Sequence, residues 1–289
     1  MPFLRRFVVS ALAFVTVAAG AGIPAPRVAA ADEIAPALEI LELRQIALAE
    51  AKRLVDGLAP ADRRRLAGTY VAFDANAADP SAMAACDDDG DYVVVLSDAM
   101  LRLVSIVARA QSDDESTGAH AILDYASFLA QSQLAGRRLL PPPPGFYASQ
   151  APGVSHETRL REALSFVIAR ELTHLRAGDL VCPHPTATHE NGDDVWTAAE
   201  GRHALETAAT LYGGGATRAR ARDEEAITRV LDVGRTELGA VGLLRFFAHF
   251  EQGRTSASGA FAPTYLAQHP ASSARATVIS AAATNHRSE

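Results

Sequence analysis

The chain has 289 residues, 48% of them hydrophobic, 21% charged, with a formal net charge of −7. That composition builds a full core and excludes a disordered tail or a disulfide-scaffold miniprotein. The 27 basic residues, all Arg except Lys52, are outnumbered by 34 acids and never form a block able to track phosphates, so nucleic acid is not an expected partner.

The first segment joins Arg5 and Arg6 to an uncharged apolar run, Phe7 to Ile23, followed by the small residues Ala29–Ala31. This is the layout of a secretory signal peptide over residues 1–31. At 17 residues the run is short for a span, though an uncleaved anchor is the other interpretation. Removal of residues 1–31 takes three arginines and no acid, leaving 258 residues, 24 basic and 34 acidic, with a net charge of −10. The expected product is an exported, periplasmic or extracellular domain over 32–289, with no transmembrane segment after cleavage. In an oxidising compartment Cys86 and Cys182 are expected to pair, two unlinked thiols being the alternative.

Leu38, Leu41, Ile46, Leu48, Leu54, Val55 and Leu58 recur near helical spacing, predicting one long helix over 33–58. Thr69–Phe73 and Tyr92–Leu96 are β-rich runs, with a weaker short strand near Ser81–Ala85. Asp87-Asp88-Asp89-Gly90-Asp91 invites a calcium interpretation, but an EF-hand loop would need an acid at Ala85 and a Glu at Leu96, so an acidic turn is expected. Ser97 has the character of an N-cap for a helix running to about Ala110. Further helices fit 117–135, 158–177, 193–212, 223–233, 236–251 and 271–284. The fold class is α+β, mostly helical with a small sheet. Pro141–Pro144 reads as a stiff surface connector.

The stretch ALSFVIARELTHLRAGD (163–179) carries the chemistry. Ala163, Phe166, Val167, Leu172 and Leu175 line an apolar helix face, and Arg170, Glu171 and His174 fall on the polar side. In the zinc-peptidase pattern H-E-x-x-H, residues four apart bring both imidazoles to one metal, and the Glu acts as general base on the bound water. Here Glu171 and His174 are present and Arg170 stands at the first His. A guanidinium has no acceptor for a cation. Taken alone, R-E-x-x-H also suits an exposed helix.

In order along the chain come Ser81–Ala85, DYVVVLSDAMLRLV, EALSFVIARELTHLRAGD, DEEAI at 223–227 and HPASSAR from His269 to Arg275. Together these resemble the HtpX-like and CAAX-prenyl-protease-like zinc metallopeptidases, in their soluble exported branch. The resemblance spans roughly 35–285, with an insertion at about 112–157, and implies a gluzincin domain whose sheet packs on the zinc helix. It implies Glu171 as base and His174 and Asp223 as metal ligands. Asp223 is one methylene shorter than the family's Glu, and Ile227 replaces the Asp that orients the site. His269 is the remaining candidate ligand, which with His174 and Asp223 would give a rearranged zinc set. Otherwise no metal binds, and Arg170 pairs with Glu171 and Asp223. The resemblance then implies a pseudopeptidase that binds polypeptide, with a strand near 81–85 available for strand addition; the alternatives are an active zinc endopeptidase and a purely structural helical protein. On this arrangement a Cys86–Cys182 bridge would tie the short strand to the exit of the zinc helix.

His184 and His189 follow that helix in a loop and read as surface histidines or substitute ligands. His203 and His249 sit in helical segments, and His120 and His156 have no partner pattern. No G-x-S-x-G, GxGxxG or P-loop appears.

Overall fold

The computed structural model describes residues 30–149, 151–182, 195–196, 215–254, 261–269 and 271–288. Most of the expected signal segment, and His184, His189 and His203, lie outside these residues. In chain order the elements are α1 (Ala30–Asp56), α2 (Pro60–Arg65), β1 (Tyr70–Asp74), β2 (Ala82–Cys86), β3 (Tyr92–Ser97), α3 (Asp98–Thr117), α4 (Ala121–Ser132) and α5 (Ser155–Ala177). Then follow β4 (Val195–Trp196), α6 (Gly215–Asp232), α7 (Leu238–Gly253), α8 (Thr264–Gln268) and α9 (Ser272–His286). The fold is α+β and mostly helical. Among the described residues no helix is long and apolar enough to cross a membrane.

The sheet order is β2-β3-β1-β4, with β3 antiparallel to β2 and parallel to β1. The alternation of strand side chains splits its faces. Val71, Phe73, Ala82, Ala84, Val94 and Leu96 join the main core, while Tyr70, Ala72, Met83, Ala85, Val93 and Val95 form a smaller cluster opposite. The acidic run is the β2–β3 turn. The Gly90 N–H donates to the Asp87 carbonyl at 3.0 Å, Asp91 N–H donates to Asp87 Oδ1 at 2.7 Å, and Tyr70 Oη donates to Asp87 Oδ2 at 2.9 Å. Gly90 itself has φ 83°, a conformation that glycine adopts without a Cβ clash.

Ser97 is the N-cap of α3: its Oγ accepts from the Met100 N–H at 3.1 Å. The same hydroxyl accepts from the Ser81 N–H at 2.9 Å and donates to the Asp79 carbonyl at 2.7 Å, tying helix start to hairpin start. The helix continues to Thr117 rather than stopping near Ala110, and ends at Gly118 with φ 74°. The expected helix 117–135 is narrower, Ala121–Ser132, and the one expected from 223 begins at Gly215. Of the helix expected over 193–212 only Val195 and Trp196 are described, and they pair with β1 as strand.

The central element is α5, which packs against α1, α3, α6, α7 and β2. Gly239 on α7 permits one of these approaches, since a Cβ there would meet the Arg159 carbonyl at 2.4 Å. Glu162 of α5 accepts from the Gly239 N–H at 3.0 Å and from Thr236 Oγ1 at 2.6 Å, satisfying donors at the start of α7, where a helix leaves N–H groups without intrahelical partners. Across the helix, α1 contributes Glu50, which accepts from Arg161, Ser165 and Arg235. Cys86 and Cys182 form a disulfide with Cα atoms 5.5 Å apart, joining the end of β2 to the chain beyond α5.

A buried guanidinium site on the central helix

The three polar residues of the R-E-x-x-H stretch on α5 are buried. Arg170 is 1% exposed, Glu171 0% and His174 3%, so the helix is covered on the polar side as well as the apolar one. Buried polar groups on such a helix must be hydrogen-bonded, and their partners define the site.

Arg170 Nε donates to Asp223 Oδ1 of α6 at 2.8 Å, and Arg170 Nη1 lies 2.8 Å from His174 Nε2. Asp223 is also clamped from α9: Arg275 Nε donates to Oδ2 at 2.8 Å and Arg275 Nη2 to Oδ1 at 3.0 Å. Burial pushes the Asp223 carboxyl up, but the two guanidinium groups outweigh it and hold the carboxyl below its ordinary range. Arg275 further donates to the His269 carbonyl at 3.2 Å, linking α9 to its own N-terminal connection.

Just past α5, Gly178 takes φ 73° and turns the chain so that Asp179 returns to the helix. A Cβ at Gly178 would fall 2.7 Å from Arg65 Nη2. Asp179 Oδ2 then lies 2.8 Å from His174 Nδ1, and Arg222 of α6 grips both Asp179 oxygens at 2.7 and 2.9 Å. Burial and then the charge of Arg170 lower the His174 pKa to about 4, against the pull of Asp179. His174 is therefore neutral at neutral pH. The geometry fixes its tautomer: Nδ1–H donates to Asp179, and the Nε2 lone pair accepts from Arg170.

Glu171 and His269 form the other half of the cluster. Glu171 Oε2 accepts from the Ala84 N–H of β2 at 3.0 Å, and Oε1 lies 3.3 Å from His269 Nε2. His269 packs edge-on to Tyr265 at 4.5 Å, and burial followed by the charges of Arg170 and Arg275 lowers its pKa well below the ordinary histidine value. Its ring centroid is 6.5 Å from that of His174.

The predicted ligand residues thus lie in one buried cluster but do not face one point. The lone pair that His174 would offer a zinc ion is directed at Arg170. Both Asp223 oxygens are taken by guanidinium groups, and His269 faces Glu171. Zinc does not fit this donor set. Among the described residues no group of three His, Cys, Asp or Glu side chains is arranged to hold a metal. Ile227 is fully buried in the apolar core one turn along α6 from Asp223. Asp179 and Arg222 do the orienting instead, and neither is marked by the zinc-peptidase pattern. Of the other histidines, His249 shares a 3.0 Å hydrogen bond with Ser127 between α7 and α4.

The edge of β2 is also engaged. Ser97 N–H donates to the Ser81 carbonyl and Asp87 N–H to the Asp91 carbonyl, so by the antiparallel alternation Ala82, Ala84 and Cys86 aim their N–H groups away from β3. The Ala84 N–H is taken by Glu171, and Ala82–Ala85 are at most 3% exposed. The carboxyl group of α5 therefore sits where an added strand would bond.

Comparison with protein-family models, curated proteins and solved structures finds no match.

Proposed function

We propose that this is an exported, metallopeptidase-like protein that has exchanged a catalytic metal centre for a buried ion-pair lattice and does not hydrolyse peptides. One observation carries the proposal: Arg170 spans Asp223 and His174, engaging the ligand atoms that zinc would need. A guanidinium supplies positive charge and several fixed donors, but it cannot activate water as a Lewis acid. Glu171, the residue in the general-base position, is buried and bonded to the β2 backbone, with no observed role at a solvent-facing nucleophile. The lattice joins α5, α6 and α9. Export is supported by the apolar leader with its small-residue end and by the Cys86–Cys182 disulfide, a bond that persists in oxidising compartments. The covered β2 edge favours a binding role elsewhere on the surface over strand addition to β2.

The test measures zinc by plasma mass spectrometry after dialysis against zinc, together with casein cleavage, for the unmodified protein and for Arg170→His and Glu171→Gln. The unmodified protein is expected to hold well under one zinc per chain and to leave casein intact. One zinc per chain with proteolysis abolished by Glu171→Gln would overturn the proposal in favour of an active zinc endopeptidase.

A further inference from the structure

The connector from α4 to α5 carries four consecutive prolines, and their chemistry sets its path. A proline ring holds φ at about −65°, and any residue before proline is driven to extended ψ. Leu140, Pro141, Pro142 and Pro143 each precede a proline and lie outside any helix or strand, so this stretch runs as a left-handed polyproline II helix. With three residues per turn, that helix has three faces.

Leu139 and Pro142 share the face turned to the protein: Leu139 is part of the main core and Pro142 is half-buried. Arg138, Pro141 and Pro144 share the second face, and all three are exposed. Leu140, half-buried, and Pro143, exposed, lie on the third. A groove that closes on a three-sided helix touches two faces and leaves the other outside. Here the face left over is the one the protein itself holds.

The ridge is fixed at both ends. Leu139 N–H donates to the Ala77 carbonyl and Leu140 N–H to Gln133 Oε1, both at 2.8 Å, and Tyr125 Oη donates to the Leu140 carbonyl at 2.7 Å. At the far end Phe146 N–H donates to the Pro143 carbonyl at 3.0 Å, across a turn with Pro144 second and Gly145, at φ 75°, third. A stretch already ordered has little conformational entropy left to lose on binding.

Charge gives the ridge a direction. Residues 133–149 include Arg137 and Arg138 and no acid, on a chain with net charge −7. Arg138, Pro141 and Pro144 spell R-x-x-P-x-x-P, successive members standing about 9 Å apart along one face. The positive charge therefore marks the amino end of two regularly spaced proline rings.

We propose that residues 138–144 are a docking ridge for an SH3-type domain, an aromatic-lined groove that seats Pro141 and Pro144 and pairs Arg138 with a carboxylate at one end. The ridge shares no residue with the buried lattice, so it stands whether or not that lattice replaced a metal.

Isothermal titration of the full chain with a recombinant SH3 domain that reads R-x-x-P-x-x-P tests it, with a WW domain as the alternative polyproline reader. One SH3 domain per chain is expected. A synthetic peptide of residues 136–147, which has the same side chains without the fixed ends, is expected to bind about tenfold more weakly. Arg138→Glu and Pro144→Ala in the full chain are each expected to weaken binding about tenfold or more, with the melting temperature unchanged in Arg138→Glu. A full chain that binds no more tightly than the peptide, a WW domain that binds more tightly than the SH3 domain, or unchanged affinity in both variants would overturn the proposal.

Discussion

Replacing Arg170 by Met keeps most of the side-chain volume and removes the guanidinium from the lattice. The variant loses the Arg170–Asp223 hydrogen bond at 2.8 Å and the Arg170–His174 contact at 2.8 Å. Breaking a buried ion pair from one side costs about 3–5 kcal/mol, because the remaining charge is left buried. Asp223 keeps both bonds from Arg275, which places the loss of its first partner at the low end. His174 Nε2 loses a donor in a buried position, worth roughly 1 kcal/mol or more. The expected destabilisation is about 3–4 kcal/mol. For a domain of this size that lowers the melting temperature by roughly 10 °C. Thermal unfolding followed by circular dichroism checks it, run with and without a chelator. The unmodified protein is expected to melt at the same temperature in both, and the Met variant well below it. A variant within about 0.5 kcal/mol of the unmodified protein would refute the lattice as a structural element. A chelator-dependent melting temperature in the unmodified protein would refute the idea that the guanidinium stands in for a metal.

The Cys86–Cys182 bridge closes a sequence separation of 96, so in the chain-entropy treatment its loss in the double Ser variant costs about 4–5 kcal/mol, readable as a lower urea midpoint. Glu50 tests the pH behaviour. Burial pushes its carboxyl up, but hydrogen bonds from Arg235, Arg161 and Ser165 outweigh this and leave it below the ordinary 4.5. With the folded value below the unfolded one, its stabilisation is complete above about pH 4.5 and is lost as pH falls through the folded value. Glu50→Gln is therefore expected to melt lower at pH 7 and to show a shallower stability loss on acidification below pH 4.5. An unchanged acid limb would show that Glu50 does not contribute to it.

Much of the frame is legible in the sequence because local chemistry decides it. Ser97 caps α3 through its own hydroxyl, and the YVVVL run is β-branched enough to specify a buried strand. Helix ends were less legible. QSDDEST carries no apolar stripe, yet α3 persists through it until Gly118 supplies a left-handed stop. RARARDEE likewise lacks an apolar stripe, but alternates Ala and Arg, both good helix formers, and α6 starts well ahead of Asp223. The sequence of α5 names Arg170, Glu171 and His174 but not their burial, because a hydrogen-bonded interior face and a solvated face carry the same residue types. Asp179 was the missed signal: an Asp directly after a helix-ending Gly can return to the last turn, where it finds His174.

The residue at position 170 has to meet two demands at once. Asp223 requires positive charge or donors, and His174 Nε2, fixed as an acceptor by Asp179, requires a donor. An apolar residue meets neither, and a neutral amide adds no charge. Lysine adds charge, but only through one ammonium nitrogen, whereas the planar guanidinium places Nε on one partner and Nη1 on the other from a single rigid group. The same logic limits what restoring a histidine at position 170 would achieve. Arg275 still holds both Asp223 oxygens, and Ile227 belongs to the apolar core, where a carboxylate would need a partner. The guanidinium lattice is thus specified by residues on three helices.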